Sequence, residues 1–123
     1  MVKLVFCLRR LPALSLVDFQ RYWKEQHAPL VARHAETLRI RRYVQVHTLD
    51  SPVNEALRAS RGGTEAYDGV AELWWSSADD LAAAIASEAG RQASLELLED
   101  ERRFIDLSRS PLWIAREIPI VGD

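Results

Sequence analysis

Cysteine is nearly missing from this 123-residue sequence, and the lone Cys7 excludes an internal disulfide and any CxxC metal or redox motif. A reducing, cytoplasmic setting is the expectation. No run of 18 apolar residues occurs, and "MVKLVFCLRRLP" makes a poor signal peptide, so neither a membrane segment nor export is expected. A positive charge excess is also lacking. With 16 Lys+Arg against 18 Asp+Glu, the net charge of -2 supplies no field for a phosphate backbone, and nucleic acid is not an expected partner. "RGG" lacks the Lys-Ser/Thr and helix of a phosphate loop, and there is no G-x-S-x-G elbow. His27 and His34 miss the i, i+4 spacing of helical metal ligands. No metal, nucleotide, flavin or other cofactor is therefore expected.

What is present suffices for one domain over residues 1–123, since 48% of the residues are hydrophobic and a chain this long can bury a core unaided. "VKLVFCLRR" is apolar at both parities, which predicts a strand buried on both faces over 2–9. Ser15 with Asp18 marks a helix start, and at about 100° per residue Leu16, Phe19, Trp23, His27, Leu30 and His34 share one arc. Pro29 disfavours helical geometry at Ala28, so a kink or restart is expected just after His27. "RIRRYVQVHTL" alternates and gives a second strand, 40–49. Residues 50–66 form a long connection with room for a short helix. "YDGVAELWW" is a third strand, Ser77 with Asp80 starts a helix broken near Ser87 to Gly90, and "SPLWIAREIPI" closes as a fourth strand.

The order βαββαβ specifies an α+β, ferredoxin-like fold: a four-stranded antiparallel sheet with two helices on one face. Large apolar residues at both parities of the strands leave the helix-free face in need of cover. A second copy of the chain, packed sheet to sheet, is the expected cover, which makes the protein a homodimer.

Three stretches, "FQRYWKEQHAPLV" (19–31), "YDGVAELWW" (67–75) and "DERRFIDLSRSPLW" (100–113), together resemble the EthD-like family of the dimeric α/β-barrel superfamily. The helix with Tyr22, Trp23, His27 and Pro29 is the most specific part. The resemblance implies a dimeric α/β barrel with a cleft between sheet and helices in each subunit. It also implies a group that includes ether-degradation accessory proteins and aromatic-polyketide tailoring enzymes, with cofactor-free monooxygenases, isomerases and haem-binding proteins among more distant relatives.

His27 carries the chemical argument. A polar ring on a buried stripe beside a proline forfeits packing and needs partners, an unpaired buried group costing about 1–3 kcal/mol. A neutral imidazole there suits a general acid/base, with a core histidine satisfied by its neighbours as the competing reading. Asp106 is the expected carboxylate partner, against a loop-capping role. Glu72, the one charge inside "VAELWW", either meets a partner's Arg or enters the cleft. Tyr43 and His47 share a strand face; Tyr22, Trp23, Trp74 and Trp75 are the aromatic candidates for contacting a flat substrate. His34 reads as structural or rim, and Cys7 as a small buried hydrophobe.

The expected function is thus a cofactor-independent enzyme, of the lyase/dehydratase or cyclase type, acting on a small hydrophobic, aromatic or polyketide-like metabolite. A non-catalytic binding or accessory protein for such a metabolite is the rival. A cofactor-free monooxygenase or a haem-binding protein, the latter betrayed by a Soret band, completes the alternatives.

Overall fold

The structure, a computed structural model, describes residues 1–122. Strands β1 (Val2–Leu8), β2 (Arg42–His47), β3 (Gly69–Trp75) and β4 (Leu112–Ala115) form one antiparallel sheet in the order β2-β3-β1-β4. The register is fixed by pairs such as Leu4 with Leu73 and with Ile114, and Tyr43 with Leu73. This is the ferredoxin-like arrangement. β2 is shorter than its alternating pattern, and β4 ends at Ala115 rather than continuing to Ile120; Ile118, Ile120 and Val121 beyond it are exposed.

The sheet's helix-facing side carries Leu4, Phe6, Leu8, Tyr43, Ala71, Leu73, Trp75 and Leu112. The alternate residues, including Lys3, Val5, Val46, Glu72, Trp74 and Trp113, therefore face the other way, because successive strand side chains alternate between faces. That second face is not uniformly apolar. Glu72 accepts a 2.6 Å hydrogen bond from Lys3 Nζ, while Trp74 lies under Lys3 and Arg42 and donates from Nε1 to Glu117 at 2.9 Å.

The first helical rod comprises α1 (Leu16–Tyr22), a π-turn (Trp23–His27) and α2 (Ala28–His34). Ser15 accepts from the Asp18 amide, as its cap position requires. The irregularity expected after His27 instead precedes it: Ala28 stays helical, and its N–H reaches back five residues to the Trp23 carbonyl. Widening the turn before Pro29 lets the rod continue, as π-bulges do. It also shifts the phase. Phe19, Trp23, His27 and Val31 are the buried series, at a spacing of four, and Leu30 is displaced from the place a regular helix gives it.

In the connection, α3 (Pro52–Arg61) buries none of its residues and ends at left-handed Gly62. α4 (Ala78–Ala86) and α5 (Glu88–Glu101) meet at Ser87, whose hydroxyl donates to Ala84 O and accepts from the Gly90 amide. Gly90 is required there, since a Cβ would fall 1.8 Å from the Ala84 carbonyl oxygen. The core combines Phe6 and Leu8 of β1 with Phe19, Trp23, Phe104 and Ile105. Gly69 opens room for it, as a Cβ would lie 2.4 Å from the Trp23 ring. No helix among the described residues is long and apolar enough to cross a membrane.

Candidate functional site

Between the sheet and the helices lies a cavity of about 260 Å³, walled by aliphatic side chains, by the indoles of Trp23 and Trp75, and by few polar groups: His27, Tyr43, Ser94 and Glu101. Convergence of a few polar groups on an apolar pocket is the usual form of a small-molecule site.

The π-turn aims His27 at α5, where Nδ1 stands 2.7 Å from Asp100 Oδ2. A carboxylate can only accept, so Nδ1 carries the proton and Nε2 keeps its lone pair. Every buried side-chain nitrogen and oxygen among the described residues has a partner; Nε2 has none and therefore opens on the cavity. Burial lowers the His27 pKa below its ordinary 6.5, with the Asp100 hydrogen bond and charge opposing. The ring is neutral at pH 7. Asp100, itself buried, also accepts from Tyr22 Oη at 2.5 Å and faces Arg103 Nη1 at 3.7 Å, so its position is held from three sides.

Glu101, one residue on, lines the cavity with no hydrogen-bond or ion-pair partner among the described residues. Burial, then the neighbouring Asp100 charge, pushes its carboxyl up to about 7. The Tyr43 hydroxyl accepts from Gln45 Nε2 at 2.7 Å and is raised in pKa chiefly by burial.

His27, Trp23 and Tyr43 thus meet at one cavity, while Tyr22 stands behind it through Asp100. The expected His27–Asp106 pair does not form. Asp106 precedes a 3-10 turn, where its Oδ1 accepts from Ser108 at 2.9 Å and its backbone N–H binds Arg9. Glu72 and Trp74 are on the opposite sheet face and cannot touch a ligand in this cavity; Glu72 finds its cation in Lys3 of the same chain. His47 lies outside the lining, stacked on the far side of Trp23 at 4.5 Å and held by Gln45 Oε1 at 2.8 Å. His34 pairs with Glu96 across α2 and α5.

Sequence reasoning missed Asp100 and Glu101. The available signal was helical phase: Leu97 and Ala93 lie one and two turns before them, so residues 100 and 101 stay on the buried side of α5 despite their charge.

The family model described as the EthD domain matches residues 11–108. Among solved structures, an EthD-family protein of Bacillus halodurans superposes with a TM-score of 0.62 at 21% identity, over 96% of this chain and 99% of its own. A dimeric ferredoxin-like protein of unknown function from Bacteroides fragilis gives 0.59 at 8% identity, over 94% and 95%. SnoaB, a cofactor-independent oxygenase of Streptomyces nogalater, gives 0.55 at 15% identity, over 99% and 97%. No curated protein matches the sequence. The domain match covers most of the chain, including the π-turn and the carboxylates of α5, and the protein belongs to the EthD domain family.

Proposed function

We propose that the protein is a cofactor-independent enzyme in which His27 takes a proton from an activated C–H or phenol of a small hydrophobic, aromatic or polyketide-like compound. The observation that carries this is the orientation of His27: Nδ1–H on Asp100, Nε2 open to an apolar cavity. The C–H electron pair stays on the substrate as an enolate, and the proton returns to carbon or oxygen. In the dehydratase or cyclase type of reaction the enolate expels hydroxide or attacks a carbonyl within the substrate. The likeness to SnoaB supports a second course, in which the same carbanion is oxidised by molecular oxygen.

Proton exchange tests the reading without knowledge of the natural substrate. In D2O the protein should accelerate deuterium uptake at the α-carbon of 2-tetralone, followed by NMR. Exchange no faster than in buffer would leave a carrier.

The assembly proposed with this function is a homodimer. Trp113 and Val46, 48% and 45% exposed on the helix-free face, together with exposed Ile118 and Ile120, favour cover by a second chain, and the ferredoxin-like protein of Bacteroides fragilis is itself dimeric. Light scattering at micromolar concentration should give twice 14.0 kDa; a stable monomer would refute it.

A further inference from the structure

Three titratable side chains line the cavity, His27, Tyr43 and Glu101, and no Lys or Arg does. Asp100 has both oxygens committed as acceptors, to His27 and to Tyr22. Glu101 is next to that charge, turned into the cavity and unpaired among the described residues. An ionised Glu101 would be a second negative charge in an apolar space. A protonated one is neutral and a hydrogen-bond donor.

We infer that protonated Glu101 is the donor this cavity offers to an oxygen of its substrate, so that the cavity selects uncharged carbonyl-bearing aromatic compounds and rejects carboxylates of the same shape. The inference deepens the reading of the cavity as a small-molecule site and rests on it. His27 Nε2 accepts and Glu101 donates, which provides for proton removal at one point of a ligand and polarisation of its carbonyl at another. An anionic ligand would meet Glu101 with no cation among the lining side chains. The volume of about 260 Å³ exceeds the roughly 150 Å³ in which a protein cavity holds benzene, leaving room beyond a single ring.

Asp100, next to it on α5, is the charge that acts on Glu101, His27 from the π-turn and Tyr43 from β2 share the cavity with it, and Arg103, beyond α5, faces Asp100. The cavity residues of β1, β3 and β4 are all apolar. With the Glu101 carboxyl held at about 7, with His27 below 6.5 and with Tyr43 above 10, Glu101 alone changes charge between about pH 6.5 and 9. The donor is present below that window and lost above it.

The test uses two probes of nearly one shape, 2-acetylnaphthalene, neutral at every pH, and 2-naphthoate, an anion throughout the window. Binding is read from quenching of Trp23 and Trp75. Wild type should bind the ketone tightest near pH 6.5 and lose about tenfold by pH 9, and should bind naphthoate at least about tenfold more weakly than the ketone near pH 6.5, the scale of one hydrogen bond and one unpaired buried charge. Glu101→Gln keeps a donor without titrating, so ketone affinity should become flat with pH while naphthoate binding improves above pH 7. In wild type, bound ketone should raise the midpoint of the Glu101 carboxyl followed by 13C NMR, an effect that needs no variant. Naphthoate bound as tightly as the ketone, a pH dependence that survives Glu101→Gln, or an unmoved Glu101 midpoint would overturn the assignment while leaving the cavity as a binding site. Saturable binding of neither probe would remove the cavity reading and this inference with it.

Discussion

Replacing His27 by Asn should reduce protein-catalysed exchange, and turnover once a substrate is in hand, by about 10²–10⁴ while the protein stays folded. Asn keeps a polar group of similar reach toward Asp100 but has no basic nitrogen to present to the cavity. The loss should fall on the chemical step. In wild type the rate should decline as pH falls below 6.5, because the active form is the neutral ring and burial holds its pKa under that value despite Asp100. A merely structural histidine would give the opposite pattern, a lower melting temperature with exchange per folded molecule intact, and that result would end the acid/base reading.

Phe19→Ala should be the most damaging simple truncation, costing about 3–5 kcal/mol of stability. Phe19 is completely buried, with its ring edge-on to Trp23 at 5.7 Å and to Phe104 at 5.6 Å. Its removal leaves a void between the first helical rod and the segment after α5. Domains of this size are stable by about 5–15 kcal/mol, so the midpoint of thermal unfolding should drop by roughly 10–20 °C. Urea unfolding would measure the same loss at fixed temperature, and a cost under 1 kcal/mol would mean that the surrounding rings close the gap.

Much of this fold was legible because its signals are local. Ser15, Ser77 and Ser87 each accept from the amide three residues on, and the strands carry apolar residues at both parities. That same doubled parity hid which strand face meets the helices. Trp74 reads as an aromatic candidate on equal terms with Trp75, and Glu72 stays open between the cleft and a partner's Arg; only the pairing of β3 with its neighbours separates the two faces. His27 was legible from its position on an apolar stripe. Its partner was not, because "ELLEDE" reads as a charged, solvated stretch, and the choice of one carboxylate among its acids depends on how α5 crosses the first rod. The short connection after α5 offered Asp106 as an equally acidic alternative. Helical phase puts Asp100 and Glu101 on the inner side of α5, but it does not tell which of them meets His27 or that Asp106 binds its own loop instead.

The π-turn bears on how such chains diverge. A five-residue reach where four is usual amounts to one residue more than an even helix would need, so the turn behaves as an insertion absorbed without a loop. Losing a single codon between Trp23 and His27 would remove that surplus and let an even helix join the same two ends, so that His27 and Val31 would keep nearly their present places relative to Phe19 and Trp23. A loss inside α1, which holds no surplus residue, would instead turn the two sides of the cut by about 100° against each other. Tolerance of a one-residue change in length is therefore built into this rod at the π-turn, directly before the histidine.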